Sequence, residues 1–184
     1  MLAKMGFGNI TVWDFDVVSV ENMNAQGYRF KDIGKPKVLA LQEIVKEFSN
    51  IQIKVNNRAY AGEKLSGIII ACVDSMNVRQ IIFENNNHVK CDYIIDSRMG
   101  AEQAILYAIK PFFKEDIGMY QKTLYTDKEA VAEACTAKAT SYTASLLSGL
   151  VTKAVKDIAM GKNPTRIIHW HIGENQYKLY DGTK

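Results

Sequence analysis

The run Ser66–Val73 (SGIIIACV) constrains this chain more than any other segment. It carries no charge and no polar–apolar alternation, so a strand built from it must hide both faces from water. A central strand of a parallel sheet covered by helices meets that demand. The rest of the chain agrees, because strand-like apolar runs alternate with amphipathic helical patterns, the order expected of a helix-covered parallel sheet. Asn9–Phe15 (NITVWDF) is rich in β-branched and aromatic residues and predicts a strand. Lys37–Phe48 (KVLALQEIVKEF) sets Val38, Leu41, Ile44 and Val45 at helical spacing. Ile51–Val55 predicts a short strand, Met76–Glu84 a helix, and Tyr93–Asp96 (YIID) another buried strand.

Beyond that point the pattern changes. Gln103–Ile109 reads as a further strand, antiparallel in this setting, with a short helix as the alternative. Asp127–Ala134 predicts a helix with Thr126 or Asp127 near its N-cap. Ser141–Met160 predicts a long helix of apolar and small residues, ended by Gly161 and Pro164. Ile167–Ile172 and Gln176–Tyr180 then form a strand pair turned at Gly173–Asn175. The expected fold is α/β: a Rossmann-like, mostly parallel sheet with helices on both faces and an antiparallel C-terminal extension. No linker or repeat interrupts residues 1–184, so one domain is expected. In such a fold a first strand and a Gly-rich turn precede the first helix, because backbone amides at that turn hold phosphate. Here Leu2–Gly8 reads as the last turns of a helix closed by glycine. The first strand and phosphate loop are therefore expected to be missing from these residues.

Composition excludes several classes. The net charge of +3 is too small for a nucleic-acid or membrane-surface footprint. Apolar stretches are broken by charge well short of the ~18 residues of a membrane span, and the N-terminus lacks the pattern of a signal peptide. Cys72, Cys91 and Cys135 are too few and too scattered for a disulfide scaffold, which favours a reducing, cytoplasmic setting. Cys72 is expected in the core and Cys91 partly exposed. His169 and His171 share one face of a predicted strand. No third ligand stands at clear spacing, so a structural pair or exposed edge residues are favoured over a metal site.

Four motifs carry the chemistry. Asp14-Phe15-Asp16 ends the first strand and leads into Asn22-Met23-Asn24-Ala25-Gln26. Ile33-Gly34-Lys35-Pro36-Lys37 supplies a GxPK. Cys72-Val73-Asp74-Ser75-Met76-Asn77-Val78-Arg79 joins a strand to a helix, and Cys135-Thr136-Ala137 precedes the long apolar helix. In this order they resemble the signature of the ThiF/MoeB/HesA and ubiquitin-activating enzyme family. The resemblance implies ATP and Mg2+ as cofactors and adenylation of the C-terminal carboxylate of a ubiquitin-like or sulfur-carrier protein. It assigns ribose to Asp14, the phosphates to Asn22, Gln26 and Lys37, and the metal to Asp74, and it makes Cys135 a candidate for acyl or sulfur transfer. It also implies a homodimer, or a heterodimer with a related subunit.

The residue types suit those roles. A carboxylate closing a strand accepts bonds from ribose hydroxyls, and a lysine supplies a cation where charge develops on phosphate. Each also has a bland reading. Asp14-Phe15-Asp16 could be a solvated strand end, Lys37 an exposed first-turn lysine, Asp74 the N-cap of the next helix, Arg79 an exposed helix residue and Cys135 an inert thiol. The pattern departs from the family where its arginine is Ala25, with Arg29 four residues on. A catalytically inactive protein-binding member is therefore the alternative function. A nicotinamide-dependent enzyme ranks lower, because GxPK and Asn22–Gln26 have no part in that chemistry.

Overall fold

The computed structural model describes residues 1–87, 90–125 and 140–180. The chain divides into two compact units, Met1–Ala61 and Gly62–Lys184. The expected helix at Asp127–Ala134 and the candidate nucleophile Cys135 lie outside the described residues.

In the first unit a 3-10 turn, Leu2–Met5, ends at Gly6, whose φ of 90° is a left-handed conformation that glycine adopts without steric cost. Strand β1 (Thr11–Trp13) then pairs in parallel with β2 (Lys54–Asn56). The predicted strand at Asn9–Phe15 is shorter than expected because three-residue β2 pairs with it only from Thr11 to Trp13. One more bond, from the Asp14 amide to the Asn56 carbonyl at 3.3 Å, ends the ladder. Helix α1 (Lys37–Ser49) joins the two strands. It buries Val38, Ala40 and Ile44, and Gln42 Nε2 donates to the Ile53 carbonyl at 2.7 Å. Asn50, left-handed at φ 54°, closes the helix.

The second unit holds a five-stranded sheet whose spatial order follows the chain: β3 (Gly67–Ala71), β4 (Cys91–Met99), β5 (Gln103–Ile109), β6 (Ile167–His171) and β7 (Gln176–Tyr180). Helix α2 (Met76–Asn86) connects β3 to its parallel neighbour β4. The remaining pairs are antiparallel, as the change of pattern after β4 implied. Among the described residues β3 has one partner, β4, and its Ile68 and Ile70 are only half-buried. β4, paired on both sides, carries the continuous buried run instead and is nine residues long rather than the expected four.

Two further helices follow, α3 (Lys114–Gln121) and α4 (Ser141–Ala159). Strand pairing sets Leu106, Ile168 and Leu179 on one face, where Leu150 and Ala154 of α4 join them around a groove of about 270 Å³. Tyr107 and Asp96 lie on the opposite face, against Tyr120 of α3 and Arg79 of α2. Helices therefore cover both faces. α3 escaped sequence reading because its sequence, KEDIGMYQ, is weakly periodic. Its buried Asp116 is held by the Lys110 amide at 2.8 Å and by Arg166, fifty residues away. Among the described residues, no helix is long and apolar enough to cross a membrane.

Candidate functional site

Asp14 stands directly after β1, half-buried, and its Oδ1 accepts the Asp16 amide at 2.8 Å. The chain beyond it runs as an extended segment bonded to the GxPK segment. The Val18 amide donates to the Lys35 carbonyl and the Gly34 amide to the Val18 carbonyl, both at 2.9 Å. The Lys37 amide donates to the Asp16 carbonyl at 2.8 Å. Gly34 makes this approach possible, since its φ of 88° is one that side chains rarely adopt. The result sets Lys37, first residue of α1, against Asp16, with Nζ 2.7 Å from Oδ2. The Lys37 side chain is only 12% exposed and is paired with Asp16, so the reading of it as an exposed first-turn lysine is corrected. Tyr28, which sequence reading passed over, belongs to the same cluster. Burial pushes its phenol up to about 12, reinforced by the charges of Asp14, Asp16 and Asp32.

Asn22 lies in a 3-10 turn, Val20–Asn24, where its Oδ1 accepts the Ser19 amide at 2.9 Å. Its carbonyl also takes the Gln26 amide at 2.9 Å, while Gln26 itself is exposed. Arg29, four residues past Ala25, is paired with acidic side chains of its own unit. Its Nε and Nη2 donate to buried Asp32 at 2.7 and 3.0 Å, and Nη1 donates to Glu47. The guanidinium holds the Asp32 carboxyl down at about 2, and Lys35 adds to the effect from 3.6 Å.

In the second unit, Asp74 is exposed in the loop between β3 and α2. It is not the cap of α2; that role falls to Ser75, whose Oγ accepts the Val78 amide at 3.3 Å. An exposed carboxylate of this kind suits Mg2+, which is commonly bound by one or two carboxylates together with substrate phosphates. Arg79 is not an exposed helix residue either, being 6% exposed. It donates to Asp96, to the Ser97 carbonyl at 3.3 Å and to the Val73 carbonyl, and the last bond ties down the loop that carries Asp74. Asp96 also accepts Arg98 Nε at 2.8 Å and the Tyr120 hydroxyl at 3.0 Å. Sequence reading saw Asp96 only as the end of a buried strand; the arginine two positions on was the available signal.

The cysteine expectations are reversed. β3 stops at Ala71, which leaves Cys72 exposed, with its sulfur 3.2 Å from Ser97 Oγ. Cys91 opens β4 fully buried, and burial pushes its thiol up to about 12. His169 packs edge-on against Tyr107 and Tyr180, and its Nε2 lies 3.4 Å from the Tyr107 hydroxyl. Among the described residues, no group of three His, Cys, Asp or Glu side chains could hold a metal ion.

A model of the ThiF family matches residues 1–181. The chain belongs to the ThiF family. Its relatives include the molybdopterin-synthase adenylyltransferase of Haemophilus influenzae, 29% identical over 119 residues, covering 60% of this chain and 49% of that one. The NEDD8-activating enzyme E1 catalytic subunit of Arabidopsis thaliana is 30% identical over 100 residues, covering 50% of this chain and 21% of that one. This ThiF-family chain thus matches at most about half the length of these curated relatives. The crystal structure of E. coli MccB with AMPCPP and MccA shares the fold, with a TM-score of 0.74 at 14% identity. It is covered over 57% of its length by 97% of this chain.

Proposed function

We propose that this ThiF-family chain binds Mg·ATP and adenylates the C-terminal carboxylate of a small ubiquitin-like or sulfur-carrier protein. The carboxylate oxygen attacks the α-phosphorus, the bond to the β-phosphate oxygen breaks, and pyrophosphate leaves. In this reading residues 1–184 act as one nucleotide-binding domain, in a homodimer or in a heterodimer with a related subunit. Asp14 accepts bonds from the ribose hydroxyls. Asn22 and Gln26 offer neutral donors to the phosphates, and Lys37 a cation. Asp74 holds the magnesium, which neutralises charge on the phosphates. The Cys135 thiolate then attacks the acyl carbon of the adenylate, the bond to the AMP phosphate oxygen breaks, and AMP leaves as the thioester forms; a part in sulfur transfer is the other role open to it.

The observation that carries this reading is the Lys37 ammonium fixed against Asp16 at the acidic end of β1 in a chain of this family. ATP–pyrophosphate exchange in the presence of a candidate ubiquitin-like partner tests it. Exchange in the wild type that is strongly reduced, but still measurable, in Lys37→Ala and in Asp74→Ala supports the assignment. Exchange at the same rate in both variants would sink it.

One observation favours a second reading, a family member retained for its partner surface. Ala25 removes a cation, and the donors of Arg29 are committed to Asp32 and Glu47. That reading expects partner capture to be indifferent to Mg·ATP, and capture that requires nucleotide would exclude it.

A further inference from the structure

Lysine at the first position of a helix is electrostatically misplaced, because the positive end of the helix dipole repels it. Lys37 occupies that position in α1 with its side chain 12% exposed, so its stem is packed away and its ammonium lacks a favourable dipole. One side chain answers that charge. Asp16 Oδ2 accepts from Lys37 Nζ at 2.7 Å, and the backbones of the two residues are joined by the Lys37 amide to Asp16 carbonyl bond at 2.8 Å. Flanking contacts hold this pairing in register, with a bridge from Val17 to Pro36 and the Val18 amide on the Lys35 carbonyl. On its other side Asp16 is tied to the ribose candidate, since its amide donates to Asp14 Oδ1 at 2.8 Å. Asp16 itself is about half exposed, its carboxylate side chain 48% accessible, so it contributes little to core packing.

We propose that Asp16 is a positioning residue that holds the Lys37 ammonium in place for nucleotide phosphate. An ammonium has three donors. The Asp16 bond uses one and fixes the direction of Nζ, which leaves two for phosphate oxygens. The two carboxylates at the end of β1 thereby take different roles, in which Asp14 faces the sugar and Asp16 acts through Lys37. The proposal rests on the reading of Lys37 as a phosphate-binding cation.

A double-mutant cycle on ATP–pyrophosphate exchange tests it, using wild type, Asp16→Ala, Lys37→Ala and the combined variant. Because the bond sets where the cation sits rather than whether it is present, Asp16→Ala is expected to lower kcat about tenfold and to change KM for Mg·ATP less than about threefold. Asp16→Asn, whose amide oxygen still accepts a hydrogen bond, is expected to recover part of that loss. In the Lys37→Ala background, Asp16→Ala is expected to have no further effect. Equal losses in both backgrounds overturn the proposal while leaving the adenylation reading intact, as does an Asp16→Ala variant with wild-type kcat. Absence of exchange in the wild type overturns both. A melting curve for each variant distinguishes lost positioning from lost folding, and a folded Asp16→Asn keeps the test valid if Asp16→Ala unfolds.

Discussion

Replacing Asp96 with alanine should damage the second unit more than its single lost side chain suggests. The Asp96 carboxylate is fully buried and accepts from Arg79, Arg98 and the Tyr120 hydroxyl. Three bonds to one carboxylate, each charge-assisted at about 1.5–3 kcal/mol, give a gross loss of roughly 4.5–9 kcal/mol. Part is recovered, because the carboxylate no longer has to be stripped of water. The guanidiniums keep only neutral partners: the Val73 and Ser97 carbonyls for Arg79, and the Thr123 carbonyl and hydroxyl for Arg98. Two near-buried cations without an anion leave a net cost of about 3–5 kcal/mol. Urea unfolding measures it, followed by Trp170 fluorescence in a Trp13→Phe background, since Trp170 lies on β6 of the same sheet and Trp13 in the other unit. With a slope near 2 kcal/mol/M, the midpoint should fall by about 2 M. A fall below about 0.5 M at unchanged slope would refute the argument, because it would mean that the two arginines are solvated. Tyr120→Phe, which removes one bond to the carboxylate and leaves both arginines paired, should cost about 1.5–3 kcal/mol.

Three other outcomes are expected. Lys37→Ala should weaken Mg·ATP binding by about 10–100-fold in isothermal titration, the value of one charge-assisted bond; unchanged affinity would remove Lys37 from the phosphate site. Asp32, whose carboxyl is held at about 2 against an ordinary 3.8, should give the wild type an advantage over Asp32→Asn. A depressed carboxylate pKa stabilises the fold only above the unfolded value, so that advantage is complete above pH ~4 and vanishes as pH falls through about 2. Melting temperatures of the two proteins across that range should converge on acidification, and a constant gap would count against the Arg29 pairing as its cause. Cys91, its thiol raised to about 12, should stay inert to a thiol reagent at pH ~8 in the folded protein and react on denaturation; rapid native labelling of Cys91 would contradict its burial.

The amino-acid sequence alone determined the family, the succession of strands and the helices α1, α2 and α4. These are local properties. Helical spacing in Lys37–Phe48, uninterrupted apolar runs, and glycine or proline at the ends of elements are written over a few neighbouring residues. The motifs at Asp14, Lys37 and Asp74 are legible for the same reason, as short strings at fixed intervals. What the sequence left open was every property that depends on which distant residue arrives alongside. Arg79 reads as an exposed helix residue until Asp96 is brought to it across seventeen positions. Lys37 is an exposed first-turn lysine until Asp16, twenty-one residues earlier, pairs with it. Arg29 is a free cation until Asp32 and Glu47 occupy its donors. Cys72 and Cys91 exchanged their expected places because β3 ended one residue before the first and β4 began at the second. Burial and charge pairing are set by partners remote in the chain, so periodicity predicts which face a residue takes but only the assembled sheet decides what covers it.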